Sequence, residues 1–177
     1  MTFSDPQKNI QQFRLIEGMK VADLGAGSAA YTLATAKQVG NSGRVYAVEV
    51  QKELISNIKN SAIKQGLSNV EVIWGDIESL GGTKIQDQSL DAVIVSNVLF
   101  QAEDKKGLVE EVKRILKPKG RVLVVDWKES YRGMGPHPDH IMSEQSAKKL
   151  FEDGGFTSDR SISAGDHHYG FIVIKER

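Results

Sequence analysis

The stretch VADLGAGSAA, residues 21–30, joins a short apolar run to a glycine turn. An acid, Asp23, lies two positions before Gly25, and a second glycine follows at Gly27. An apolar run that ends in glycines and leads into residues of helical spacing predicts a buried strand, a tight turn and a helix, here through residues 28–39. Ligands bind at the carboxyl ends of the strands in open α/β sheets, and glycine lets them approach the main chain closely. The stretch therefore favours a ligand site at the first strand end, although a plain tight turn is the alternative.

Strand-like and helix-like segments alternate along the chain. The predicted strands in this alternating part are residues 20–24, 44–50, 70–74, 90–96 and 121–127. Such alternation predicts an α/β fold in which helices cover both faces of a mostly parallel sheet, a Rossmann-like three-layer sandwich. Near the end of the chain, residues 157–163 and 170–175 form two extended runs joined by a short turn, and such a hairpin must be antiparallel.

The segment from Asp104 to Leu116 is the clearest predicted helix. Its apolar residues recur at helical intervals, so Glu110, Glu111, Lys113 and Arg114 are expected to face outward. A further helix is predicted to begin after Ser143, a typical N-cap residue, and to run towards Asp153. We expect a single domain over residues 1–177, because the chain has neither repeats nor linker-like composition.

Composition and charge narrow the classes of function. The chain has 23 basic residues (Lys and Arg) and 23 acidic residues (Asp and Glu), so its formal net charge is zero. No overall electrostatic field therefore favours binding to nucleic acid or to an anionic membrane. The chain contains no cysteine, which excludes a disulfide, a thiolate metal site and a cysteine nucleophile within it. No segment approaches the ~20 apolar residues that span a bilayer, and no leader is recognised at the N-terminus, so we expect a cytoplasmic protein without a membrane partner.

Acids also follow the second and third predicted strands. Glu49 comes about 20 residues after the glycines, the position from which a carboxylate accepts hydrogen bonds from ribose hydroxyls. Asp76 ends the third strand and suits an adenine amino group, while Val50 and Ile77 offer apolar contacts to the ring; a helix N-cap is the alternative role for Asp76. Ser96 ends the fourth strand at the same edge of the sheet. Together these residues indicate a nucleoside site.

The glycine turn also fits a dinucleotide site. Gly25-x-Gly27-x-x-Ala30 satisfies the relaxed pattern G-x-G-x-x-G/A, so an NAD-dependent oxidoreductase is an alternative. Against it, Asp23 occupies a position where dehydrogenase turns seldom carry an acid, and no tyrosine is followed four residues later by lysine.

The segments VADLGAGSA, VYAVEV, WGDIES, DAVIVSN and LKPKGRVLVVDW, in this order and spacing, resemble the class I S-adenosylmethionine-dependent methyltransferases. They are similar in particular to the small proteins related to the ubiquinone/menaquinone-biosynthesis C-methyltransferases. The resemblance implies a seven-stranded, mostly parallel sheet with a reversed C-terminal strand. It also implies S-adenosyl-L-methionine as cofactor, with Asp23 and the glycine turn on its methionine portion, Glu49 on the ribose and Asp76 on the adenine. The candidate cofactor-binding residues are Asp23, Gly25, Ala26, Gly27, Glu49, Val50, Asp76, Ile77 and Ser96.

The chain departs from the family pattern at three places. Ala29 stands where a third glycine is frequent, and Lys119 replaces a glycine in the turn before the fifth strand. The segment SNVLFQAED lacks the histidine often present there in quinone-methylating relatives, which argues against a quinone acceptor.

Residues after the fourth and fifth strands are the candidates for an acceptor pocket. They are Asn97, Phe100, Gln101, Trp127 and Tyr131. Residues 129–140 form a long connection rich in glycine and proline, which is typical of a substrate lid. His137 or His140 in this lid is a candidate general base, with an exposed histidine of no function as the alternative.

The remaining clusters favour neither a metal nor a nucleic acid. His137 and His140 are far in sequence from His167 and His168, so no metal site is predicted. The basic residues around positions 113–121 are explained by the helix dipole. The sequence therefore predicts transfer of a methyl group to a small-molecule acceptor by in-line displacement. An RNA methyltransferase and a nonenzymatic S-adenosylmethionine-binding protein are further alternatives, and the oligomeric state is not indicated.

Overall fold

The computed structural model describes residues 3–177, which include a seven-stranded sheet and the helices packed on it. The strands are β1 (Lys20–Leu24), β2 (Arg44–Glu49), β3 (Val70–Trp74), β4 (Leu90–Ser96), β5 (Leu116–Trp127), β6 (Phe156–Ile162) and β7 (His168–Lys175). The α-helices are α1 (Pro6–Phe13), α2 (Ala30–Val39), α3 (Lys52–Lys64), α4 (Lys105–Ile115) and α5 (Glu144–Asp153), with a 3₁₀ turn at Pro138–His140.

The order of the strands confirms the predicted fold class. It is β3-β2-β1-β4-β5-β7-β6, with parallel pairing from β3 through β5 and antiparallel pairing of β7 with both β5 and β6. The chain reverses its direction of travel across the sheet between β1 and β4. A reversal of this kind opens a crevice at the carboxyl ends of the two strands, and the glycine turn after β1 lies at that point.

Apolar side chains from alternate strand positions form a core on each face of the sheet. On one face, Leu24 and Val124 pack with Leu108 of α4 and Phe151 of α5. On the other face, Val21 and Leu123 pack with residues of α1 and α2. The central strands are thus buried on both sides, which is why they appear in the sequence as continuous apolar runs.

The expectation that Glu111 faces outward is wrong. Its side chain is fully buried, whereas Glu110 beside it on α4 is exposed. Glu111 accepts hydrogen bonds from the connection between β3 and β4, which packs along this side of the helix and needs an acceptor there. Asp104 precedes the helix as its N-cap and accepts from the Gly107 amide at 2.8 Å.

The strand β5 begins earlier than predicted, at Leu116 instead of residue 121. Leu90 pairs with Leu116 and Ala92 with Arg121, so the register shifts where Pro118 and Lys119 occur. Lys119 has a φ of 66°, and Ala29 before α2 has a φ of 69°. Both residues stand where the family resemblance calls for glycine, so the chain keeps the left-handed backbone there without glycine.

Within residues 3–177, no helix has both the length and the apolar character required to cross a membrane.

Candidate functional site

The glycine turn after β1 is closed against β2. The amides of Gly25 and Ala26 donate to the Val48 carbonyl at 2.9 and 3.1 Å. Gly25 has a φ of 74°, and a Cβ placed on it would lie 2.8 Å from Cγ2 of Val98. Gly27 has a φ of 50°. The turn therefore requires glycine at residue 25 for both backbone conformation and space.

The Glu49 carboxylate lies beneath this turn at the end of β2. The residue is 5% exposed, and its Oε2 accepts a hydrogen bond from the Gly27 amide at 3.0 Å. Its Oε1 accepts from the amides of Val50 and Gln51 at 2.9 and 3.0 Å. Each carboxylate oxygen has two lone-pair positions, so these three bonds leave one position, on Oε2, that can accept from a hydroxyl group of a ligand.

Asp23 places a second carboxylate beneath the turn. It is 2% exposed, and its Oδ2 accepts from the Thr32 hydroxyl at 2.7 Å. Burial raises the pKa of Asp23 to about 6, although the Thr32 hydrogen bonds lower it and oppose this change. Among the described residues, no cation forms a salt bridge with Asp23. A buried carboxylate with a neutral hydroxyl donor as its side-chain partner is suited to a cationic ligand group such as an ammonium.

Two clefts meet at Gly25. The first has a volume of about 230 Å³ and is lined by Asp23, Gly25, Ala26, Gly27, Ser96 and Asn97, among others. The second has a volume of about 250 Å³ and is lined by Gly25, Glu49, Val50, Asp76 and Ile77, among others. All the predicted cofactor-binding residues thus line one or both of the clefts. The first cleft offers a buried carboxylate beside the glycine turn, and the second offers two carboxylates together with the apolar side chains of Val50 and Ile77.

Asp76 does not cap a helix, because the described chain has no helix between β3 and β4. Its Oδ1 accepts from the Glu78 amide at 2.9 Å, and its Oδ2 accepts from the Ser79 hydroxyl at 2.6 Å. These two hydrogen bonds, the Ser79 bond first, hold the pKa of Asp76 below its usual value. Asp76 is therefore a charged hydrogen-bond acceptor at the rim of the second cleft.

Ser96 and Asn97 carry polar atoms without partners. The Ser96 Oγ and Asn97 Oδ1 atoms are enclosed and accept or donate no hydrogen bond within the described residues. Asn97 has a φ of 54°, which turns the chain sharply after β4. Buried polar groups are normally hydrogen-bonded, so these two unpartnered atoms are unusual, and both belong to residues that line the first cleft.

The predicted acceptor residues do not line one pocket. Asn97 lines the first cleft, whereas Phe100 and Gln101 line a third cavity of about 660 Å³. Trp127 packs on His168, with ring centres 4.1 Å apart, and Tyr131 stacks on His167, with ring centres 4.4 Å apart.

The predicted lid histidines differ in their surroundings. His140 lines the third cavity, together with Lys105 and Met142. His137 is largely exposed, and its Nδ1 accepts from the Asp139 amide at 3.3 Å. The third cavity thus brings one of the two histidines beside Phe100 and Gln101.

His167, just before β7, and His168, its first residue, are both buried, and they contact different side chains. Nδ1 of His167 lies 2.9 Å from the Glu129 carboxylate. Burial, followed by the charges of His167 and Lys128, lowers the pKa of His168 to about 4, so its ring is neutral at pH 7. Within residues 3–177, no three His, Cys, Asp or Glu side chains are grouped as a metal site requires.

Sequence reasoning missed Asp126 at the end of β5. This residue is 1% exposed, and its carboxylate accepts from the amides of Leu99 and Trp127, each at 2.8 Å. Burial raises its pKa to about 6. Asp126 fixes the segment after β4 that borders the clefts. Its signal in the sequence, an acid that ends the apolar run VLVVD, is the same signal that identified Asp23 and Glu49.

Comparison with known proteins gives one family. A family model described as a methyltransferase domain matches residues 15–168. An arsenite methyltransferase of Halobacterium salinarum is 31% identical over 89% of this chain, and a demethylmenaquinone methyltransferase of Bacillus velezensis is 28% identical over 67%. The chain spans 38% and 50% of the lengths of these two relatives. The crystal structure of an S-adenosylmethionine-dependent methyltransferase from Aquifex aeolicus has 31% sequence identity and a TM-score of 0.88, and the likeness covers 97% of this chain and 90% of that one.

Proposed function

We propose, from the premise that this chain belongs to the class I S-adenosylmethionine-dependent methyltransferase family, that it methylates a small-molecule acceptor. The observation that carries the proposal is the pair of clefts that meet at Gly25, with a buried carboxylate beside each. The first cleft suits the methionine portion of S-adenosylmethionine, and the second suits its adenosine. We assign the chain to one methyltransferase domain.

Each carboxylate has a separate binding role. Asp23 pairs with the ammonium group, Glu49 accepts from the ribose hydroxyls, and Asp76 accepts from the adenine amino group. Val50 and Ile77 supply apolar contacts to the base. When bound, S-adenosylmethionine supplies a methyl group on a positively charged sulfur, and an acceptor atom displaces this sulfur in line. The residues of this chain then act mainly by positioning the acceptor and excluding water.

The third cavity is the proposed acceptor site. Its volume of about 660 Å³ suits a small organic molecule. Phe100 and Gln101 both line it, and Gln101 also lines the second cleft. His140 is the candidate base for an acceptor atom that carries a proton, because it lines this cavity. His137 stays a second candidate, within the same connection. Trp127 and Tyr131 are proposed to support the lid through their contacts with the buried histidines.

The names of the relatives suggest two acceptor classes, arsenite and a demethylmenaquinone. This chain contains no cysteine, so it has no thiolate of its own with which to hold a soft ion such as arsenic(III). It also has no histidine between residues 96 and 104, where quinone-methylating relatives often carry one, which argues against a quinone acceptor. We therefore propose a small acceptor that is bound by neither a cysteine thiolate nor a histidine after β4. We also propose that the protein acts in the cytoplasm and does not bind nucleic acid. The balance of charges supports the exclusion of nucleic acid.

Acceptor-dependent release of S-adenosylhomocysteine tests the proposal. The purified protein is incubated with S-adenosylmethionine and, separately, 1,4-naphthohydroquinone, arsenite with glutathione, and small phenols and amines. We expect turnover with at least one acceptor, and its loss in Glu49→Ala. If the cofactor binds but broader acceptor panels also give no turnover, the nonenzymatic alternative replaces methyl transfer.

A further inference from the structure

Glu111 of α4 lies at the centre of a buried hydrogen-bond network outside the clefts. Its Oε2 accepts from the Gly81 amide at 2.7 Å, and its Oε1 accepts from the Thr83 amide and hydroxyl at 3.2 and 2.5 Å. The Arg114 guanidinium donates to both oxygens, at 2.8 and 2.7 Å, and also pairs with Asp87. All four lone-pair positions of the carboxylate are therefore used.

The network holds a charged carboxylate where a neutral residue would be expected. Burial opposes ionisation, but the hydrogen bonds from Arg114, Thr83 and Gly81 outweigh it and lower the pKa of Glu111 to about 2. Glu111 is consequently ionised throughout the neutral range. The backbone of Gly81 and Thr83 is tied to a fixed charge on a helix that is itself packed in the core.

Residues 81–83, here named the strap, press against the end of β3. The Gly82 carbonyl accepts from the Asp76 amide at 3.1 Å. A Cβ on Gly82 would lie 2.2 Å from the Asp76 carbonyl oxygen, and one on Gly75 would lie 2.6 Å from the Gly82 carbonyl oxygen. The strap and the end of β3 therefore leave no room for a side chain at either glycine, and a shift of the strap would displace the carbonyl to which the Asp76 amide is bonded.

We infer that Glu111 is a positioning residue for adenine recognition, because it holds the strap against Asp76 without lining either cleft. The inference rests on the proposed function, in which the Asp76 carboxylate accepts from the adenine amino group. Glu78 attaches the same connection to the start of α4 through its bond to the Asp104 amide at 2.5 Å. Loss of the Glu111 charge should therefore loosen Asp76 without unfolding the whole connection.

Selectivity between two bases tests the inference without an acceptor. S-adenosylhomocysteine and S-inosylhomocysteine differ at the base, where inosine replaces the amino donor by a carbonyl oxygen. Calorimetry gives the dissociation constants of both ligands for the parent protein, Glu111→Gln, Asp76→Asn and the double variant. Glu110→Gln is the matched control, because residue 110 is the exposed neighbour on α4.

The parent protein should prefer the adenine ligand by about tenfold or more, as expected for one hydrogen bond to a charged group. Glu111→Gln alone should reduce this preference at least about threefold. When Glu111→Gln is added to Asp76→Asn, the preference should change less than about twofold from that of Asp76→Asn, because the effects of coupled residues are not additive. Glu110→Gln should match the parent. If Glu111→Gln does not fold, Thr83→Val removes one donor of the network and should give a smaller change in the same direction.

A Glu111→Gln protein that melts at a lower temperature but keeps the parent preference would overturn the inference, because a merely structural role predicts that result. An equal loss of affinity for both ligands would overturn it as well. Failure of the proposed function looks different: the parent protein would bind neither ligand, or Asp76→Asn alone would leave the preference unchanged.

Discussion

The Glu49 carboxylate accepts a hydrogen bond from the Gly27 amide at 3.0 Å, which joins the end of β2 to the glycine turn after β1. The same carboxylate accepts from the amides of Val50 and Gln51, where the chain leaves the strand. Glu49 therefore shapes the turn between the two clefts and keeps one lone-pair position, on Oε2, for a ligand in the second cleft.

Replacement of Glu49 by alanine should weaken the binding of S-adenosylhomocysteine by about 10- to 100-fold, the range expected when hydrogen bonds to one charged group are lost. Calorimetric titration measures this change. Glu53→Ala is the matched control, since Glu53 is an exposed acid in the first turn of α3, and it should bind as the parent does. Equal affinities in the Glu49 variant and the parent would refute the ribose assignment.

Gly25→Ala and Gly66→Ala separate backbone strain from loss of space. Both glycines have positive φ, 74° and 65°, so backbone strain alone should destabilise each variant by about 1 kcal/mol. Only at residue 25 does the added Cβ meet another side chain, Val98, at 2.8 Å, whereas nothing lies within 4 Å at residue 66. We expect Gly25→Ala to lose about tenfold or more in ligand affinity, or about 1.4 kcal/mol, while Gly66→Ala keeps it.

Thermal melts and titrations of the two variants measure both effects. If the variants lose affinity equally, the close approach at Gly25 has no role in binding.

Ligand affinity should depend on pH through Asp23. The carboxylate form binds the ammonium group, and burial raises the pKa of Asp23 to about 6, so a proton must leave when the ligand binds at lower pH. The affinity for S-adenosylhomocysteine should fall about tenfold between pH 7 and pH 5. Titrations in buffers with different ionisation enthalpies detect the released proton. A pH dependence that persists in Asp23→Asn would assign it to another group.

The raised pKa of Asp23 should also make the ligand-free protein less stable as the pH rises, the opposite of its effect on ligand affinity. The folded state holds the Asp23 proton up to pH 6, whereas an ordinary aspartate loses it near 3.8, so stability from this group is present at low pH and lost as the pH rises through 6. Asparagine keeps an acceptor for Thr32 without the buried charge. The stability of Asp23→Asn relative to the parent should therefore grow by about 2 kcal/mol between pH 4.5 and pH 7.

Urea unfolding of both proteins at the two pH values measures the difference. A constant difference between the two proteins would contradict a raised pKa at Asp23.

The central strands could be read from the sequence because burial on both faces leaves an apolar run with clear ends. For β1 and β4 the predicted and observed bounds agree, as they also do for β3, which lies at the edge of the sheet and is less buried. Asp23 and Glu49 interrupt or end such runs, so they were identifiable as acids that the fold buries. The start of β5 at Leu116 could not be predicted, because Pro118 and Lys119 indicate a turn. Only the pairing of Leu116 with Leu90 of β4 extends the strand to that residue.

Side chains whose positions depend on distant partners could not be predicted. Glu111 has the pattern of an outward helix residue, and its burial depends on Gly81 and Thr83, which pack against it only in the folded chain. The contact of Tyr131 with His167 likewise joins residues that are far apart in sequence, and no periodicity indicates it.

Binding of S-adenosylmethionine in the two clefts beside Gly25 is tested most directly by a thermal-shift comparison of S-adenosylmethionine, S-adenosylhomocysteine, NAD and NADP. Each ligand is added up to a concentration that would be about 100 times the dissociation constant of a ligand that binds. Saturation at that level stabilises a protein by about 2.7 kcal/mol, which for a domain of this size raises the melting temperature by roughly 5–11 °C. We expect this rise with the two adenosyl ligands alone. A rise with NAD or NADP and none with the adenosyl ligands would contradict it, because the two clefts beside Gly25 would then hold a dinucleotide.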